Sequence, residues 1–260
     1  MRIPHLIEAK NHGRKLTMLT AYDAITASIL DSAGLDMLLV GDSIGTTMFG
    51  LPTTIPVELD EMVVATRAVA RGTKRAIVVA DLPFGTYEAS PEQCFNSAAR
   101  LMKAGAAAVK FEGGKPVAEQ VTMCATHGIP VVGHLGFTPQ SEHALGGPRI
   151  QGRTNDAADR LVEDAVALEE AGAVAIVLEM VPAHVAQRVT EVLAIPTIGI
   201  GAGVHCDGQV LVWSDMAGMQ DWIPSFAKRF GEVGEALRAT AQAFVDEVHA
   251  EHFPTRDHSF

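Results

Sequence analysis

AGAAAVKFEGG, residues 104–114, carries three signals in one short run. Its Ala-Gly pair closes a helical segment, with the glycine where a helix end wants positive φ. An apolar run without strict alternation follows, as expected of a strand buried on both faces. The run ends in Lys110 and Glu112 beside more glycine. The same unit recurs. Ala33-Gly34 leads through DMLLVGDS to Asp42 and Ser43, and Ala171-Gly172 leads through AVAIVLEM to Glu179. From glycine to acid the offsets are 8, 7 and 7.

Further strands fit the rhythm at 15–23, 76–85, 129–137, 195–203 and, less regularly, 209–218. They alternate with helices predicted at 24–33, 58–71, 91–104, 116–127, 155–171 and 182–193. A short helix near 204–208 and a C-terminal one near 233–249 complete the pattern. Eight strands in 260 residues is about 32 residues per unit, the economy of a (β/α)8 barrel. The expectation is one barrel domain over residues 1–260, with an N-terminal helix and a C-terminal helical extension. A doubly wound sheet would announce a dinucleotide site with GxGxxG after its first strand, and none is there. IGIGAG at 198–203 matches only loosely and comes late; no Walker motif occurs. Two long loops, 43–57 and 136–154, leave from strand C-terminal ends, the catalytic face of a barrel.

Composition narrows the function classes. Asp plus Glu is 31 against 20 Lys plus Arg, a formal charge of −11. Such an acidic chain without a basic stripe does not suit nucleic acid or an anionic membrane. It still allows an anionic substrate, because a few local cations or a metal can reverse the field in one cleft. No apolar run is long enough to span a bilayer, and the first ten residues lack a signal-peptide stretch. Cys94, Cys124 and Cys206 are too few and scattered for a disulfide framework, which suits a cytoplasmic protein.

In a barrel, the strand ends would gather Asp42, Ser43, Asp81, Lys110, Glu112, His134 and Glu179 at one mouth, with Asp23 a further candidate. One such carboxylate has a plain explanation as a helix cap. Four on separate strands point to a metal site instead. Oxygen donors without paired Cys or His favour Mg2+, which also leaves room for two oxygens of a 2-oxo acid. Lys110 is costly to bury alone, so it reads as the partner of an anionic substrate or carboxylate, with a Schiff base as the competing use. Glu179 has the most apolar sequence setting of these acids, where burial would favour a general base. His134 could orient a substrate, bond a carboxylate behind the metal, or be structural. Arg149 and Arg153 could meet a second anion or lie on the surface. Ser43 and Ser141 lack the GxSxG context of a hydrolase nucleophile.

At these residues the chain resembles the ketopantoate hydroxymethyltransferases. The likeness runs from about Thr17 to Ala250. It is carried by TAYDAITASILDSAGLDMLLVGDSIG, VVADLPFGTYEASPEQ, VKFEGG, GHLGFTPQ, LEMVP and TIGIGAGVHCDGQVLVWSDMAG, in one order. The resemblance implies a (β/α)8 barrel that transfers a one-carbon unit from 5,10-methylenetetrahydrofolate to 3-methyl-2-oxobutanoate through a metal-stabilised enolate. The products would be 2-dehydropantoate and tetrahydrofolate, in pantothenate biosynthesis. It implies Mg2+ on Asp42 and Asp81 with Glu112 close by, substrate on Asp42, Ser43, Asp81 and Lys110, and Glu179 as the base. It implies a homodecamer whose C-terminal helix packs on a neighbouring subunit.

The nearest rival is a Mg2+-dependent C–C lyase or aldolase acting on another 2-oxo acid. Lyases of the phosphoenolpyruvate mutase and isocitrate lyase type use a cysteine on a mobile loop. Here Cys94 and Cys124 fall in predicted helices. A non-catalytic scaffold has no reason to converge four acids.

Overall fold

A computed structural model describes all residues, 1–260. Eight parallel strands close in chain order: β1 (Leu16–Thr20), β2 (Met37–Val40), β3 (Ile77–Asp81), β4 (Ala108–Glu112), β5 (Val131–Gly136), β6 (Ala175–Glu179), β7 (Thr197–Ile200) and β8 (Gly208–Leu211). β8 pairs back onto β1, with Leu16 opposite Gly208 and Met18 opposite Val210. The helices are α1 (Pro4–Asn11), α2 (Ala24–Ser32), α3 (Ile44–Thr47), α4 (Leu59–Gly72), α5 (Pro91–Ala104), α6 (Ala118–Thr126), α7 (Glu142–Leu145), α8 (Asn155–Glu170), α9 (Ala183–Val192), α10 (Trp213–Met216) and α11 (Val233–His249). The chain divides into two compact units, Met1–Leu211, which holds the barrel, and Val212–Phe260. No helix is long and apolar enough to cross a membrane.

The sequence signals act locally as expected. In α5, Ser90 caps the start by accepting from the Gln93 amide, and Pro91 stands where its missing N–H is harmless. Cys94, Ala98, Leu101 and Ala104 recur at helical spacing and are buried. Gly105 then ends the helix at φ 115°, and Gly34 and Gly172 do the same for α2 and α8 at φ 94° and 102°. A Cβ on Gly105 would also stand 2.6 Å from Ala70 Cβ, so this glycine is required twice over.

Two-residue periodicity then sorts each strand. Leu16 and Met18, Met37 and Leu39, Ile77 and Val79, Ala108, Val132, Ala175 and Val177, Ile198 and Val210 form one buried cluster inside the barrel. Leu6 and Ala9 of α1 join it, so the N-terminal helix packs onto the barrel core. Extending the same parity toward the strand C-terminal ends gives Asp81, Lys110, Glu112, His134 and Glu179. The inward face thus changes from apolar to ionisable within one strand length.

Two expectations are corrected. Residues 204–207 form turns and bends, not a helix. Asp207 is occupied there in accepting from the Thr197 amide (2.9 Å) and pairing with Lys10 (2.9 Å). The last strand starts at Gly208 and ends at Leu211, because its partners on β1 stop at Leu19, and α10 takes over the region read as strand.

Candidate active site at the barrel mouth

Neighbouring strands set the first pairs. Asp81 lies opposite Lys110 in the β3–β4 register, and Lys110 Nζ stands 3.1 Å from Asp81 Oδ1. Glu112 lies opposite His134 in the β4–β5 register, with Oε1 3.3 Å from His134 Nδ1. The other ring nitrogen, Nε2, lies 3.2 Å from Glu179 Oε2. Lys110 Nζ is 3.4 Å from His134 Nδ1. Asp42 sits just beyond β2, where its amide donates to Asp81 Oδ2 at 3.1 Å. Gly41 permits this approach, since a Cβ there would lie 2.7 Å from Ser43 Oγ and 3.6 Å from Asp81 Oδ2. Ser43 Oγ lies 2.9 Å from the buried Tyr22 hydroxyl. All seven residues read as mouth groups therefore meet at one end of the barrel.

Asp23 does not join them. It caps α2, with Oδ1 accepting from the Ile25 and Thr26 amides and Oδ2 from the Thr26 hydroxyl. Arg149 and Arg153 are exposed. Glu179 is less enclosed than its sequence setting suggests: 16% of its side chain is exposed, against 3% for Asp81 and Glu112. Its neighbour Met180 holds φ at 49°, a strained value for a residue with a side chain, directly beside the candidate base.

Electrostatics divide the groups by role. Burial pushes Asp81 up to about 6, against the pull of Lys110 and with Asp42 adding to the rise. Burial and the Glu112 charge push Asp42 up as well. Burial works against the Lys110 ammonium, but Asp81, Glu112 and Asp42 outweigh it and hold its pKa above the ordinary value. A lysine held as ammonium against Asp81 is a poor Schiff-base nucleophile, which counts against the competing use. Burial and Lys110 oppose charge on His134 too. Its bonds to Glu112 and Glu179 prevail and carry it up to about 9. Four acids thus face two cations in a place shielded from water.

That imbalance is the test of a divalent cation. Asp42 and Asp81 are buried, adjacent and under-compensated, which suits a hard dication with oxygen donors. No three metal-ligating side chains already enclose a point. Mg2+ does not need them, because it keeps waters and takes one or two carboxylates plus substrate oxygens. The residues fit the ion.

Three residues of the site were missed by sequence reasoning: Tyr22 beside Ser43, and Gln140 with its partner Tyr87. Gln140, in the loop after β5, is buried and reaches across three strand ends. Its Nε2 donates to Asp42 Oδ2 (2.8 Å) and to the Leu82 carbonyl (3.0 Å), and its amide donates to Glu112 Oε2 (3.0 Å). Tyr87 donates its hydroxyl to Gln140 Oε1 at 2.8 Å. The length of the loop was the available signal, without the residue.

Comparison with known proteins agrees with the geometry. Residues 1–256 match the sequence profile described as ketopantoate hydroxymethyltransferase. The 3-methyl-2-oxobutanoate hydroxymethyltransferase of Leifsonia xyli subsp. xyli is 54% identical, over 100% of this chain and 94% of its own length. That of Thermobifida fusca is also 54% identical, over 99% and 92%. Among solved structures, phosphonopyruvate hydrolase superposes with a TM-score of 0.64 at 14% identity, covering 99% of this chain and 90% of its own. A 2,3-dimethylmalate lyase gives 0.62 at 17%, covering 95% and 87%. At such identities the solved structures speak for the barrel alone. The profile match and the full-length identity speak for more: the chain belongs to the ketopantoate hydroxymethyltransferase family.

Proposed function

We propose that this barrel mouth transfers a one-carbon unit from 5,10-methylenetetrahydrofolate to 3-methyl-2-oxobutanoate, giving 2-dehydropantoate and tetrahydrofolate, with water supplying the new hydroxyl oxygen. The observation that carries the reading is the convergence of two under-compensated aspartates, a lysine held as ammonium and a separate glutamate on one strand-end layer. Mg2+ would be held by Asp42 and Asp81 with Glu112 nearby, and would polarise the substrate ketone so that its C3 proton becomes acidic enough to remove.

The chain's own groups do the rest. Lys110 places a fixed positive charge where the substrate's carboxylate and ketone oxygens collect. Ser43, steadied by Tyr22, offers a hydroxyl to the same anion. Glu179 takes the C3 proton. The C–H electron pair becomes the C2–C3 double bond of an enolate, whose oxygen faces the Lys110 charge. Water adds to the folate's one-carbon unit and both of its carbon–nitrogen bonds break, which releases tetrahydrofolate and leaves the carbon at the oxidation level of formaldehyde. C3 bonds to that carbon, and its C=O pair becomes the new hydroxyl, which takes a proton back from Glu179. His134 suits the base role less well, since each of its ring nitrogens is already turned to a carboxylate, Glu112 on one side and Glu179 on the other.

The rival lyase chemistry finds less support. Cys94, Cys124 and Cys206 are free and buried, and the first two lie in α5 and α6. Proton NMR of 3-methyl-2-oxobutanoate with 5,10-methylenetetrahydrofolate and Mg2+ tests the reading. Formation of 2-dehydropantoate that stops with EDTA is expected. Its absence with folded, Mg2+-supplied protein would move the assignment to an aldolase or lyase acting on another 2-oxo acid.

The working form we infer is a homo-oligomer, ten subunits by the family resemblance. In a single chain α11 has no buried residue and leaves Leu237 58% and Phe244 59% exposed, with Val245 and Val248 exposed beside them. Apolar side chains at helical spacing need a cover. Sedimentation velocity is expected to give a decamer, and a monomer at micromolar concentration would overturn this.

A further inference from the structure

We infer that Gln140 is a positioning residue that sets the cation site, by fixing which carboxylate oxygens of Asp42 and Glu112 face the mouth. The inference rests on the Mg2+ reading above and assigns a role to a residue outside the ligand set. Gln140 arrives from the loop after β5, yet bonds the ends of β2, β3 and β4, the strands that carry the three candidate ligands.

The amide has no freedom to choose. Tyr87 OH accepts from the Glu112 amide at 3.3 Å, so its own proton goes to Gln140 Oε1. That fixes the amide orientation, leaving both Nε2 protons for Asp42 Oδ2 and the Leu82 carbonyl. Asp42 Oδ2 is thereby occupied and Oδ1 is left for a ligand. The Gln140 main-chain amide does the same at Glu112 Oε2, while Oε1 turns to His134. Asp81 is fixed separately, by the Asp42 amide and Lys110. A buried carboxylate with one oxygen tied is oriented before the cation arrives. Without that bond it can rotate, and two rotating acids give up preorganisation.

Mn2+ is a suitable probe, because its unbound form is counted by electron paramagnetic resonance without any turnover. Gln140→Met keeps the length and removes the amide. It is expected to weaken Mn2+ binding about 10- to 100-fold, as loss of ligand-orienting groups does. Tyr87→Phe, which removes the bond holding Gln140 Oε1 and the acceptor for the Glu112 amide, should weaken it less but in the same direction. A merely structural role would lower the melting temperature and leave the Mn2+ dissociation constant where it was. An unchanged or tighter constant in folded Gln140→Met overturns the inference. If that variant does not fold, an unchanged constant in Tyr87→Phe overturns it. Failure of the parent protein to bind Mn2+ would overturn the metal reading, and this inference with it.

Discussion

Glu179→Gln is expected to bind the divalent cation and the keto acid as the parent does, while exchanging the substrate's C3 proton about 10²- to 10⁴-fold more slowly. Glutamine fills the same volume and still offers an oxygen to His134 Nε2, now 3.2 Å from Glu179 Oε2, so the side chain should stay in place. What it lacks is a basic oxygen. Glu179 is also engaged at one oxygen only, by His134 Nε2, whereas Asp42 and Asp81 bond each other, Gln140 and Lys110, and Glu112 is taken at both oxygens by Gln140 and His134. Loss of deuterium incorporation from D2O, followed by NMR with Mg2+ but no folate, isolates this step from carbon–carbon bond formation. Unchanged exchange would sink the assignment. Cation and substrate affinity measured on the same variant separate a lost base from a collapsed site.

The sequence made the barrel legible because its signals repeat. Ala-Gly followed by an apolar run and an acid occurs three times, and each instance rests on local physics: a left-handed helix end, a doubly buried strand, a strand-end turn. The inward parity of Asp81, Lys110, Glu112, His134 and Glu179 also follows from the strand period once the register is fixed by the core. Three things were not legible. Asp23 looks like Asp42 in sequence, each an acid after an apolar strand, and only the local bonds show that one caps a helix while the other faces the mouth. The bounds of β8 depend on closure against β1, a contact between chain ends that no window of sequence contains. Gln140 sits in GHLGFTPQ, a stretch that carries the family resemblance, but a neutral amide in a loop gives no charge or spacing signal. Its meaning comes only from the three strand ends it meets in space.

Asp81→Asn should weaken Mg2+ and keto-acid binding together, by about 100-fold or more, since the keto acid is held largely through the ion that Asp81 helps to bind. The same variant makes a second, opposite prediction about stability. In the folded, metal-free chain Asp81 keeps its proton up to about pH 6, whereas the unfolded chain releases it near 3.8. Folding therefore takes up a proton between these values, and the stability Asp81 contributes falls as pH rises through that window. His134 acts in the same sense at higher pH. Its contribution is full below 6.5 and is lost as pH rises through about 9. Asparagine has no proton to lose. At pH 8, without metal, the variant should be more stable than the parent, and the gap should close as pH falls through 6 toward 4. Mg2+ at pH 8 should then raise the parent's melting temperature more than the variant's. A site that holds charged carboxylates ready for a cation is destabilised while it waits, and removing one charge trades function for stability. Normal keto-acid affinity in calorimetry with Mg2+ present would show that Asp81 does not act through the ion. A metal-free variant less stable than the parent at pH 8 would show that the Lys110 pair, not desolvation, governs this carboxylate.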